Sequence, residues 1–205
     1  MQTTLVLFTL LLVALSVRAE TINFDKDKAG EAPAGWTSGV TGDGASKWEV
    51  VAEVTAPSKP NALKQSAEGK YPWCVKKDIS IKDGFVEVKF KPVSGKDDQA
   101  AGIVWRFKDG NNYYVARANA LEDNVSIYFT KDGKRNTLKY QDAKFDHSAW
   151  NTLRVDFKAS KFTVSLNGAK VIEIEDANFA DAGAIGLWTK ADSVTLFDDF
   201  TWEGK

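Results

Sequence analysis

The chain has 205 residues, with 27 Lys and Arg against 28 Asp and Glu and a formal net charge of -1 at pH 7. Neither sign gathers in a block longer than Lys76-Lys77 or Asp97-Asp98, which argues against a nucleic-acid or polybasic membrane surface, since either needs a clustered field. A single cysteine, Cys74, and a single histidine, His147, exclude an intrachain disulfide, a thiolate metal cluster, a His-rich zinc site and any reaction that needs two imidazoles. Chemistry built on carboxylates stays open.

In chain order, the first expected element is a leader. Leu5 to Val17 is apolar but too short to cross a bilayer as a helix, and it ends at Val17-Arg18-Ala19, small at the two positions that signal peptidase reads. Residues 1–19 are therefore expected to be a signal peptide cut before Glu20, although Met1-Gln2-Thr3-Thr4 carries no Lys or Arg. Residues 20–205 are expected to form one domain, periplasmic or secreted, with no integral membrane segment after cleavage.

From there the pattern is alternation of period two, the mark of half-buried strands. Strands are expected near 21–24, 47–54, 61–66, 72–79, 85–92, 100–108, 113–119, 124–131, 135–140, 150–158, 161–166, 170–175, 183–190 and 193–203. The Gly-, Ala- and Pro-rich stretch from Lys26 to Gly44 reads as loop, and Pro72 as an edge or the start of a strand. Asp83-Gly84, Asp109-Gly110, Asp132-Gly133 and Asn167-Gly168 tolerate the positive φ angles of tight hairpin turns. So many short antiparallel strands cannot stay in one open sheet, which predicts an all-β, two-sheet sandwich.

The segment from Ala100 to Thr130 carries the candidate ligand face. A two-residue turn at Asp109-Gly110 would set Arg106 opposite Tyr113, Val104 opposite Val115 and Gly102 opposite Arg117. Trp105–Tyr114, Ile103–Ala116 and Ala101–Ala118 would then face the core. Arg106, Tyr113, Arg117 and Asn119, with Asn124, Ser126 and Tyr128 of the next strand, gather forked donors and planar rings, groups that recognise hydroxyls and carboxylates. Arg and Tyr also line ordinary solvent-facing sheets, and that alternative stays open. Trp73 is a candidate stacking platform beside this face. Cys74 reads as a small buried hydrophobe with no basic partner.

Trp150-Asn151-Thr152-Leu153-Arg154-Val155-Asp156-Phe157, followed by Phe162 to Gly168, resembles the concanavalin A-like lectin/glucanase superfamily. So does the ending Gly183-Ala184-Ile185-Gly186-Leu187-Trp188, then Phe197-Asp198-Asp199-Phe200. Nearest in appearance are laminin-G-like jelly rolls and bacterial 3-keto-disaccharide hydrolase-like domains. The resemblance implies a jelly-roll sandwich with the last strand paired to the first, near Ile22 to Asp25. It also implies a structural Ca²⁺ held by Asp198 or Asp199 and Asp25. Glu173-Ile174-Glu175 is the only stretch similar to the paired acids of the superfamily's glucanases, and it lacks the third acid, so it reads as a solvated hairpin arm.

Because this sandwich hosts many activities, the fold does not choose among them. The first expectation is an exported, non-catalytic carbohydrate-binding or glycan-associated module, with a glycan as partner. The second, implied by the hydrolase-like resemblance, is a sugar-active hydrolase or lyase with Glu122 or Asp123 as base and Arg106 or Tyr113 stabilising an enolate-like charge. The third is a structural or adhesive envelope domain.

Overall fold

A computed structural model describes residues 18–204. Most of the expected leader, residues 1–17, lies outside the described residues. In chain order the strands are β1 (Glu20–Ile22), β2 (Thr37–Gly44), β3 (Trp48–Ala52), β4 (Asn61–Gln65), β5 (Gly69–Ile81), β6 (Gly84–Ser94), β7 (Ala100–Asp109) and β8 (Asn112–Asn119). They continue with β9 (Asn124–Lys131), β10 (Lys134–Asp142), β11 (Asn151–Lys158), β12 (Lys161–Leu166), β13 (Ala169–Glu175), β14 (Gly183–Trp188) and β15 (Val194–Gly204). No helix occurs among the described residues.

Two antiparallel sheets face each other. One runs β13-β12-β11-β6-β15-β4-β3 with β1 added on β15, and the other runs β10-β9-β8-β7-β14-β5-β2. This is the two-sheet sandwich that the alternation predicts, in the concanavalin A-like jelly-roll form that the resemblance implies. One side chain in two from each sheet enters a shared core, including Val86, Val88, Phe90, Val155 and Phe157 from the first sheet and Ile103, Trp105, Tyr114, Ala116, Ile127 and Leu187 from the second. Cys74 lies in that core, where burial pushes its thiol pKa up, so it behaves as the apolar filler expected.

The turns at Asp132-Gly133 and Asn167-Gly168 hold both central residues at positive φ, 51° and 74° in the first, 50° and 80° in the second. The last strand does pair with the first, in the register Glu20–Trp202, Thr21–Thr201 and Ile22–Phe200. The Phe197-Asp198-Asp199-Phe200 motif sits where one edge of β15 changes neighbour from β4 to β1, and Asp199 there has a φ of 46°. A bulge between Asp198 and Thr201 accommodates the change.

Three local expectations are corrected. Thr37–Gly44 is a strand, the edge of the second sheet, although it lies in the stretch that reads as loop. It has no alternation because it is an edge and because Gly39 must be bare: a Cβ there would lie 2.4 Å from the indole of Trp73. Pro72 does not start a strand; it sits inside β5, facing Val40 of that edge strand. The hairpin joining β7 and β8 pairs Asp109 with Asn112, not Lys108 with Asn111, so the turn is Gly110-Asn111.

Candidate functional site

The shift at that hairpin decides which arginine belongs to the outer face of the second sheet. The expected pairs Gly102–Arg117, Val104–Val115 and Trp105–Tyr114 are present, but the next pair is Asp109–Asn112. Three residues of β7, Arg106 to Lys108, thus face Tyr113 alone. Arg106 takes a φ of 47°, and Gly183 of β14 lies so close that a Cβ would stand 2.5 Å from the Arg106 carbonyl carbon. The bulge turns Arg106 inward beside Trp105, its guanidinium 5.5 Å from the Phe162 ring, and gives the outer position to Phe107, which stacks on Tyr113.

Arg106 is therefore not opposite Tyr113 and not on the outer face. It is 1% exposed, and its hydrogen bonds all go to main-chain carbonyls: Nε and Nη2 to Lys82 at 3.2 and 2.9 Å, Nη1 to Phe179 at 2.8 Å, Nη2 to Ala159 at 2.7 Å, while the Asp83 carboxylate lies 3.6 Å from Nη2. These carbonyls belong to three separate loops, so the side chain acts as a clamp between them.

The remaining candidates share the outer face. Tyr113 is fully buried there, its hydroxyl bonded to Thr41 Oγ1 at 2.9 Å. Trp73 is 8% exposed and packs on Phe107, a wall of the face and not an open platform. Arg117, also buried, donates Nη2 to Glu122 at 2.7 Å and to Asn124 Oδ1 at 3.0 Å, and Nη1 lies 3.4 Å from Asp98 Oδ2. Asn124 donates to Glu122 at 2.7 Å and to the Tyr140 hydroxyl at 2.8 Å, while Asn119 accepts from the Leu121 amide at 3.0 Å. Tyr128 lies under Arg117, ring centroid 5.7 Å from the guanidinium carbon.

Sequence reasoning left out several neighbours. Asp98, on the loop before β7, is fully buried and receives Lys190 Nζ as well as Arg117. Burial pushes the Asp98 carboxyl above its ordinary value, against the pull of Lys190 and Arg117. Burial alone would raise Glu122 too, but the Asn124 hydrogen bond and the Arg117 charge outweigh it, so Glu122 is held below its ordinary value and stays ionised. Two acids and two bases meet here, and the cluster is close to neutral. Among the described residues Asp98 Oδ1 and Arg117 Nε have no hydrogen-bond partner, although both are buried. Tyr71 and Trp188, stacked with ring centroids 5.5 Å apart, complete the aromatic side of the face. The strand parity of β14 could have revealed Trp188; nothing local marks Asp98 or Lys190.

Of the acids expected at a metal, Asp198 and Asp25 already spend carboxylate oxygens on donors of the protein itself. Asp198 is fully buried, and its two oxygens already accept the Ser58 amide, the Ser58 hydroxyl and the Asp199 amide at 2.7–3.0 Å. Burial pushes its pKa up to about 6. Asp25 Oδ1 accepts the Asn61 amide at 3.1 Å. Among the described residues no group of three or more His, Cys, Asp and Glu side chains is placed to hold a metal. Glu173 and Glu175 lie exposed on the edge strand β13, as a solvated arm.

Residues 23–203 match the family described as the 3-keto-alpha-glucoside-1,2-lyase-like domain. The chain belongs to that family. Comparison with curated proteins gives no match. Among solved structures, the family member is similar in fold to the carbohydrate-binding module CBM66 from Bacillus subtilis, with 20% identity and a TM-score of 0.68 over 83% of this chain and 96% of that one. The cellulose-induced protein Cip1 gives 11% identity and 0.65 over 91% and 97%. A prokaryotic β-1,3-1,4-glucanase, a lichenase from a mouse hindgut metagenome, gives 12% and 0.58 over 91% and 98%. At these identities the likeness is one of fold.

Proposed function

We propose that this domain is an exported glycan-binding module that takes a neutral saccharide on the outer face of its second sheet, without cleaving it. The observation that carries this reading is the pair of unpartnered polar atoms at the end of that face, Arg117 Nε and Asp98 Oδ1. A sugar hydroxyl both donates and accepts, so a donor and an acceptor in one cluster are its complement. The near-neutral charge of the cluster offers no net attraction to a uronate. Tyr71 and Tyr128, at the edge of the aromatic cluster, would supply the flat apolar surface for the C–H face of a pyranose, with Trp188 stacked on Tyr71. Membership of a family named for a glucoside lyase supports a glycan-related role, and the fold shared with a carbohydrate-binding module supports binding.

The test is a glycan array with the mature protein beside an assay for released reducing ends. The expected result is binding without release, weakened at least tenfold by Arg117→Ala, since a charged hydrogen bond contributes about 1.5–3 kcal/mol. Binding that survives Arg117→Ala, or no binding to any neutral glycan, contradicts the reading and leaves a structural or adhesive role.

A second reading, lyase chemistry, is favoured by one contact: ionised Glu122 lies 2.7 Å from Arg117. On a 3-keto glucoside, Glu122 would take the proton from C2 and Arg117 would stabilise the enolate. The C1–O bond would then break, its oxygen taking up a proton, to leave a C1–C2 double bond. Arg117 replaces Arg106 in this scheme, because Arg106 donates only to loop carbonyls. Turnover of a 3-keto-α-glucoside that Glu122→Gln abolishes would establish it.

A further inference from the structure

The aromatic side of the outer face is closed over by a residue from the far edge of the sheet. The Arg135 guanidinium carbon stands 4.3 Å from the Tyr128 ring and 4.9 Å from the Tyr71 ring. Arg135 belongs to β10 and Tyr71 to β5, with β9, β8, β7 and β14 between them. On a flat sheet those two strands would be about 24 Å apart, beyond the reach of the two side chains, so the sheet curls into a trough and Arg135 spans it. The trough floor, including Val104, Val115, Ser126 and Trp188, is 0% exposed although it lies on the outside of the sandwich.

The arginine is held loosely. Its Nη1 is buried without a hydrogen-bond partner among the described residues, and no salt bridge to it is found among them. Its strand is the edge of the sheet, exposed along most of its length and with its ladder broken by a bulge between Thr137 and Lys139. Such a strand belongs to the least stable part of a sheet. A guanidinium is a flat group presenting faces to rings, as a pyranose does.

Resting on the binding reading above, we propose that Tyr71 and Tyr128 form a sugar-stacking subsite that Arg135 fills in the free protein and vacates when a neutral pyranose enters. The side chain is a built-in competitor, and removing it raises affinity. Its displacement also uncovers Trp188, which stacks on Tyr71.

The experiment compares full mature wild type, Arg135→Ala, Arg135→Gln, Tyr128→Ala and Arg117→Ala on a panel of immobilised neutral gluco-, xylo- and fructo-oligosaccharides, with acrylamide quenching of tryptophan fluorescence as a readout independent of ligand. The expected result is that both Arg135 variants bind the wild-type glycans about tenfold more tightly and show more quenching, while Tyr128→Ala loses binding at least tenfold. Binding by the Arg135 variants where wild type shows none gives the same support. If the Arg135 variants bind equally or more weakly while Tyr128→Ala and Arg117→Ala lose binding, the competitor role is overturned and the site stands. If Tyr128→Ala and Arg117→Ala bind as wild type, or no protein binds any member of the panel, both the subsite and the binding reading fall.

Discussion

Two buried arginines stand on one hairpin, and they differ in what holds them. Arg106, at the turn end of β7, makes all its hydrogen bonds to main-chain carbonyls of three loops, with the Asp83 carboxylate 3.6 Å away. Arg117, near the other end of β8, is held by Asp98, Glu122 and Asn124 and keeps an unpartnered Nε. Two buried aspartates repeat the contrast: Asp198 has both oxygens occupied by neighbouring amides and a hydroxyl, whereas Asp98 keeps Oδ1 free. Burial alone does not separate structural from functional polar groups. Among these four charged groups saturation draws the line, because a side chain whose bonds are made has little left for a ligand; outside them it does not, since the core indoles of Trp48 and Trp105 are unpartnered too.

The largest expected effect is at the saturated arginine. Arg106→Ala leaves carbonyls of three loops unpaired and should cost about 3–5 kcal/mol in urea unfolding, with the folded fraction still binding glycan normally. A loss below about 1 kcal/mol would break the comparison at its firmest point. Trp105→Ala, which removes the stack on Tyr114 and the edge contact with Phe162, should cost a similar amount and serves as the packing reference.

Asp198 comes next. Its native carboxyl, raised to about 6 from 3.8, binds a proton more tightly than the unfolded chain does. This contribution to stability is therefore fully present below about pH 4 and lost as pH rises through about 6, on the order of 2–3 kcal/mol in all. Asp198→Asn should flatten that part of the stability profile in denaturant titrations between pH 4 and 7. An unchanged profile would mean that another group causes it.

Arg117→Ala should cost less stability than Arg106→Ala, about 1–2 kcal/mol, because Asp98 keeps Lys190 and can take a proton. Its effect should fall on binding instead. The smallest effect expected is that of a chelator: with the Asp198 oxygens already occupied, the melting temperature should not move. A fall on adding chelator, restored by Ca²⁺, would return Asp25, Asp198 and Asp199 to the metal role that the family resemblance implies.

The strands, the sandwich and the core side of the β7–β8 hairpin were legible because period-two alternation is a local signal, and Trp105, Ile103 and Ala101 carry it cleanly. The outer position of Arg117 followed from the same parity. Arg106 was misplaced because its bulge depends on a positive φ at an arginine and on Gly183 from a strand far along the chain, neither of which alternation records. The strand Thr37–Gly44 was missed because its glycines answer to neighbours and not to a pattern of their own: Gly39 to the Trp73 indole, Gly42 to the Lys70 side chain and Gly44 to the backbone of Glu68 and Gly69. Asp98, Lys190 and the Arg135–Tyr71 contact depend on loops and on sheet curvature. These arise only when distant segments pack.

The most direct test of the saccharide face is to titrate a glycan identified on the array into isotope-labelled protein and follow the tryptophan indole N–H resonances. Trp188 and Trp73 lie on the outer face, whereas Trp48, Trp105 and Trp202 lie in the core between the sheets. Shifts at Trp188 and Trp73, with the three core indoles unmoved, are the predicted result. Shifts confined to Trp150 or to the core indoles would place the ligand elsewhere and contradict the assignment.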